Sequence, residues 1–262
     1  MLKPILMASV ALLSSLMGQV NTEAMRGISP TLGWSGALGG DFGLLAGNSQ
    51  LLTVNSSMRI DHRSSWGHNF VAAKLGQGKS GDAEFNNKGF LHARSVKTIS
   101  DRLFMEGFLQ QEYDKSINLT NRQLAGGGVR LKTFTSAPDT ASSHSLTLAN
   151  GFGLMWEREV TNISGGADST AVDQGLLRST NYMVVNYKID DRLALSATGY
   201  IQFDTRRPTR DYRALLESSV NVNITKHLIL VITLNLRYDS EPPTGVAEPL
   251  DLSITNGLAF SF

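Results

Sequence analysis

The feature that most constrains this chain is the alternation in residues 227–262. In 227–239 the even positions are Leu228, Leu230, Ile232, Leu234, Leu236 and Tyr238. The odd positions include Thr233, Asn235, Arg237 and Asp239, with Ile229 and Val231 as exceptions. After a turn over 240–245, Leu250, Leu252, Ile254, Leu258, Phe260 and Phe262 share one parity. Asp251, Ser253, Thr255, Gly257, Ala259 and Ser261 share the other. Successive side chains of a strand point to opposite faces, so each run predicts a strand with one greasy and one small or polar side. A soluble sandwich also buries such a face. A last strand that is apolar at every second position up to an aromatic final residue fits the closing strand of an outer-membrane barrel better.

Composition agrees with that reading. The mean hydropathy of −0.10 argues against a helical membrane protein. It does not argue against a barrel, whose lipid-facing and lumen-facing residues alternate. With no cysteine there is no disulfide, cysteine metal site or lipoprotein acylation. A formal net charge of +1 gives no electrostatic footprint for nucleic acid. Lys3 precedes an apolar run over 5–17. That run, about thirteen residues, is too short for a membrane-spanning helix of roughly twenty. It predicts a signal peptide over 1–24, cleaved after Thr22-Glu23-Ala24, with Gly18 a weaker site and an uncleaved anchor the alternative. The expected organisation is therefore a signal peptide at 1–24 and one barrel domain at 25–262.

About twelve two-faced segments follow, separated by turn clusters. Before the last two they cover 32–47, 51–61, 66–75, 85–96, 103–113, 122–134, 145–159, 175–188, 193–204 and 212–224. The third, 66–75, is weak; there Trp66, His68 and Phe70 share a parity that would face lipid, and Asn69 takes the polar face. Over most of the chain, short turns at 63–65, 100–101, 190–191 and 225–226 alternate with longer links at 76–84, 114–121, 160–174, 204–210 and 240–249, whereas 136–144 is long and 47–50 short for their sides. Outer-membrane barrels alternate short periplasmic turns with longer external loops in this way. The segments exceed the five or six residues common in soluble strands and suit a tilted crossing. The expected fold is all-β: an antiparallel transmembrane barrel of about twelve strands, with first and last paired because a bilayer tolerates no open edge.

Several residues carry a resemblance. Arg237-Tyr238-Asp239-Ser240-Glu241-Pro242-Pro243, followed by an alternating strand ending at Phe262, resembles the C-terminal signature of the salt-induced outer-membrane protein family, formally a domain of unknown function. Gly33-Trp34-Ser35-Gly36 with Gly47-Asn48 resembles that family's first hairpin. Glu112, Asp114, Arg122, Gly126-Gly127-Gly128 and Glu157 resemble its middle. The resemblance implies a barrel in the outer membrane of a Gram-negative bacterium, a link to salt or osmotic stress, and no established activity.

The chemistry-bearing cluster is Glu106, Glu112, Asp114, Arg122, Arg130, Lys132, Glu157 and Glu159, all on the polar parity of three consecutive segments. Hairpin pairing about 114–121 places Arg122 near Glu112 or Asp114, with Glu157 and Glu159 on its other side. Such a cluster is either a charge-selective constriction of a narrow or gated pore, or a salt-bridge network filling a lumen as an envelope component. A lipid-modifying hydrolase using His68 and Ser56 is the enzymatic alternative, but no third group orients the imidazole. A surface-binding protein working through 160–174 is another. Asp239, Glu241 and Glu248 lack the fixed spacing of a cation loop. The expectation is a non-enzymatic protein without cofactor or metal. Its partners would be outer-membrane lipids and, through its last strand, the barrel-assembly machinery.

Overall fold

The computed structural model describes residues 32–45, 51–115, 118–136, 144–163, 170–225, 228–242 and 248–260. The expected signal peptide, Pro243 and Phe262 lie outside them. The described residues form a 12-stranded sheet in which each strand pairs with the next in chain order. The strands are β1 (Gly33–Leu45), β2 (Leu51–Ser64), β3 (Gly67–Ser80), β4 (Ala83–Thr98), β5 (Leu103–Asp114), β6 (Leu119–Thr135), β7 (Ser145–Ile163), β8 (Thr170–Lys188), β9 (Leu193–Asp204), β10 (Tyr212–Asn223), β11 (Leu228–Asp239) and β12 (Leu250–Phe260). Every described pairing is antiparallel. A ladder between β1 and β12 is not among them.

The sheet is inverted relative to a soluble protein. Its exposed side carries Leu75, Met105, Leu109, Phe152, Leu154, Met183 and Ile201. Its buried side carries Arg94, Glu106, Glu112, Arg122, Glu157, Arg178 and Arg213. Water-soluble domains rarely bury charge on this scale and rarely expose a continuous apolar face. The sheet coils far enough for non-adjacent strands to meet across the inside. The Tyr182 hydroxyl on β8 donates to Glu106 on β5 at 3.0 Å, and Arg213 on β10 donates to Glu157 on β7 at 2.9 Å. The coiled meander is the barrel fold expected from the alternation.

Three local expectations need correction. Residues 76–84 are not a long loop. β3 and β4 stay paired to Ser80↔Ala83, and Gly81, at φ +58°, turns the chain. Glycine in the left-handed region at the first turn position is what a tight primed hairpin requires. Residues 160–174 are likewise mostly ladder, since β7 and β8 remain paired to Ile163↔Thr170. Third, β3 presents the opposite face. Ser64 pairs with Gly67, so Trp66 lies in the turn, and Asp61 pairs with Phe70. That register sends His68 and Phe70 inward. Phe70 is 2% exposed, whereas Val71 and Leu75 are exposed on the outer side.

Candidate functional site

The inward residues of β5, β6 and β7 come together as cross-strand neighbours. Glu112 pairs with Arg122 and Arg122 with Glu159. Arg122, 1% exposed, donates from Nη1 to Glu112 Oε1 at 2.7 Å. It donates from Nη2 and Nε to Glu159 Oε2 at 2.6 and 2.9 Å. This is the acid, base, acid order that hairpin pairing predicts.

Beyond that triad the connections cross the lumen. Arg213 donates from Nη1 to Glu157 Oε1 at 2.9 Å and from Nε to Asp239 Oδ2 at 2.8 Å. Its Nη2 lies 3.5 Å from Glu159. Glu157 also lies 3.2 Å from Arg178 Nε, and Arg178 holds Asp211 with both terminal nitrogens at 2.6 and 3.1 Å. Asp211 lies 3.4 Å from Arg207, which also reaches Asp204 and Glu241. One chain of ion pairs thus runs from Glu112 on β5 to Glu241 beyond β11. Buried charges of this kind need such partners. At its outer end, Glu241 foremost, with Asp204 and Asp211, holds the Arg207 guanidinium above its ordinary value.

The remaining expected residues go elsewhere. Glu106 accepts from Arg94 at 3.1 Å. Arg130 lies over the Tyr182 ring, 5.9 Å from its centroid, and Lys132 lies 4.8 Å over Phe104. Asp114 is buried at the end of β5, opposite Lys88 on β4. The expected cluster therefore divides into an ion-pair chain, a separate Glu106 site, two cation–π contacts and Asp114 opposite Lys88. Arg94, Arg178 and Arg213 stand on the inward parity of their strands. Asp204 and Asp211 close the ends of β9 and its loop. Alternation alone cannot say that β10 meets β7.

The C-terminal motif ties down one mouth. Asp239 accepts from Arg213. The Ser240 hydroxyl donates to the Arg210 carbonyl at 2.7 Å and accepts from Tyr212 N at 2.8 Å. Glu241 pairs with Arg207 at 3.0 Å. Arg237 is buried, and Tyr238 stacks on Tyr212 with centroids 5.5 Å apart. Asp239 and Glu241 thus face arginines and do not converge on a cation.

Glycines make room for the crossing contacts. A Cβ on Gly151 would collide with the Tyr182 ring, and one on Gly126 would lie 2.6 Å from Phe108 and 2.7 Å from Met155. One cavity among the described residues, about 50 Å³, is lined by Arg94, Glu106, Gln110, Tyr182, Tyr200 and Arg213 among others. It has room for a few water molecules.

The residues proposed for lipid hydrolysis are not brought together. Ser56 pairs with Leu75 on the outer face, while His68 pairs with Arg63 and turns inward. There His68 Nε2 hydrogen-bonds Asp61 Oδ1 at 2.7 Å.

The family described as "Protein of unknown function, DUF481" matches residues 38–262. Among solved structures, the chain is similar to the NanC porin at 10% identity and a TM-score of 0.45, covering 87% of this chain and 99% of that one. It is similar to the translocator domain of the autotransporter NalP from Neisseria meningitidis at 12% identity and a TM-score of 0.45, covering 87% of this chain and 86% of that one. No curated protein matches.

Proposed function

A match over 38–262 makes this chain a member of that family of unknown function, and on that footing we propose an outer-membrane barrel whose lumen is a narrow, gated passage for small charged solutes. In this reading β1 closes on β12, because an open sheet edge in lipid leaves backbone groups unsatisfied. The protein is exported through its N-terminal segment and inserted by the barrel-assembly machinery, and it catalyses no reaction. Any part in salt or osmotic stress rests on the sequence resemblance alone.

The observation that carries the proposal is Arg213. It reaches from β10 to Glu157 and Glu159 on β7 and Asp239 on β11, so it bars the lumen with a contact that can be made or broken. Charged rings at such constrictions select solutes by sign and size. A second reading, a structural envelope component with a permanently filled interior, is favoured by the water-sized cavity.

Planar-bilayer conductance separates the two. Under the gated reading the wild type gives rare or small steps. Arg213→Ala gives larger, more frequent steps with greater cation preference, since a positive charge has left a ring of carboxylates. Silence from both proteins, with the barrel verified by circular dichroism, would overturn the passage and leave the structural reading.

A further inference from the structure

We propose that the loop joining β9 to β10 docks the phosphate groups of membrane lipid headgroups through Arg206 and Arg210. This inference rests on the membrane reading above. Residues 205–210 are all exposed, and three of them are arginines. Arg207 is engaged inward with Asp204, Asp211 and Glu241. The Arg206 and Arg210 guanidiniums, among the described residues, make no hydrogen bond or ion pair with the protein. Two exposed acids at this end are already paired, Glu241 with Arg207 and Asp173 with Arg158 at 2.7 Å.

The loop is a fixed platform. Thr205 N donates to the Leu177 carbonyl at 2.9 Å, Arg210 N to the Arg207 carbonyl at 3.0 Å and Asp204 N to the Asp211 carbonyl at 2.9 Å. Ser240 Oγ holds the Arg210 carbonyl. Two guanidiniums carried on an ordered backbone lose little freedom on binding.

Depth selects the partner. Arg210 lies two positions before Tyr212, whose ring stacks with Tyr238. At the same end of the barrel, the outer face of β7 changes from Phe152, Leu154 and Trp156 to the ion-paired Arg158. Aromatic rings at the end of an apolar band mark the membrane interface. The loop beyond them therefore lies among headgroups. There a planar guanidinium fork matches a phosphate bidentately, as an ammonium does not.

The test uses the full-length mature protein, inserted into nanodiscs of neutral lipid, and fluorescent bisphosphorylated lipid A as the probe. The Arg206→Gln, Arg210→Gln double variant should bind it roughly thirty-fold more weakly, about fivefold per guanidinium near a membrane surface. Fully dephosphorylated lipid A should bind wild type and variant alike. Arg192→Gln, in the turn at the opposite mouth, should leave binding unchanged. Equal binding of phosphorylated and dephosphorylated probe, or equal loss in the Arg192 variant, would overturn the site. So would competition by inorganic phosphate at concentrations matching the lipid's own, since that would mark a soluble-phosphate site. Failure of the protein to enter the nanodisc as a heat-modifiable barrel would instead overturn the membrane reading beneath it.

Discussion

Replacing Arg122 by Met decides whether the interior is a dry plug or a wet channel. The side chain of Arg122 is 1% exposed, that of Glu112 7% and that of Glu159 15%. Removing the guanidinium leaves Glu159 with Arg213 at 3.5 Å. Among the described residues it leaves Glu112 hydrogen-bonded to the Gln110 amide, which donates to it at 3.1 Å. An ionised carboxylate stripped of its partner in a water-excluded interior costs about 3–5 kcal/mol. The same pair in a water-filled lumen contributes about 0–1 kcal/mol. Urea unfolding of the refolded protein in lipid, followed by tryptophan fluorescence, measures the difference. We expect a loss in the upper range, with part of it restored by Glu112→Gln on the Arg122→Met background, because the neutral amide no longer needs a counter-charge. A single-variant loss under about 1 kcal/mol, with no rescue, would refute the dry network. It would place bulk water around Arg122.

Other perturbations test the frame around the network. Leu109 is 63% exposed on β5, and Leu109→Arg should cost about 2–4 kcal/mol if that face meets the middle of a bilayer; an unchanged urea midpoint in lipid would count against the membrane reading. Gly151→Val should push the Tyr182 ring from its seat and break its hydrogen bond to Glu106. Overpacking of this kind costs about 1–3 kcal/mol, and a normal midpoint would show that Tyr182 has another way across. In the β8–β9 turn, backbone N–H groups of Arg192 and Leu193, each donating at 2.7 Å, hold the Asp190 carboxyl below its ordinary value of 3.8. A lowered folded-state value gives stability that is complete above the unfolded value and is lost as pH falls through the folded one. Asp190→Ala should therefore melt below wild type at neutral pH and converge with it in acid beneath 3.8. A constant gap across that range would mean the carboxylate charge is irrelevant to the turn.

Much of the strand order is legible in the sequence because one alternation, of the kind a lipid-facing sheet needs, runs through most of the strands. Outward positions are mostly apolar, so Leu146, Leu148, Phe152, Leu154 and Trp156, interrupted by Asn150 alone, mark β7 clearly. The inward face obeys no such rule. Phe70 sits inside because the Arg59 guanidinium lies 4.1 Å over its ring and His92 packs at 5.7 Å. An aromatic covered by a cation is as acceptable in a filled lumen as a charge covered by a counter-charge. For β3 that removes the contrast on which a face assignment depends, and the glycines and lysines of 74–80 mimic a loop for the same reason. The candidate site divides along the same line. Contacts between neighbouring strands, Glu112 with Arg122 and Arg122 with Glu159, follow from pairing and parity alone. Contacts across the interior, Arg213 with Glu157 and Tyr182 with Glu106, depend on how tightly the sheet coils. Gly126, Gly151 and Gly153 set part of that by admitting side chains and backbone where a Cβ would collide. Those glycines are visible in the sequence, but the partners they admit are fixed only by the coiling of the sheet. Arg213, the residue most central to the proposed gate, is for that reason an ordinary inward arginine until β10 is seen facing β7.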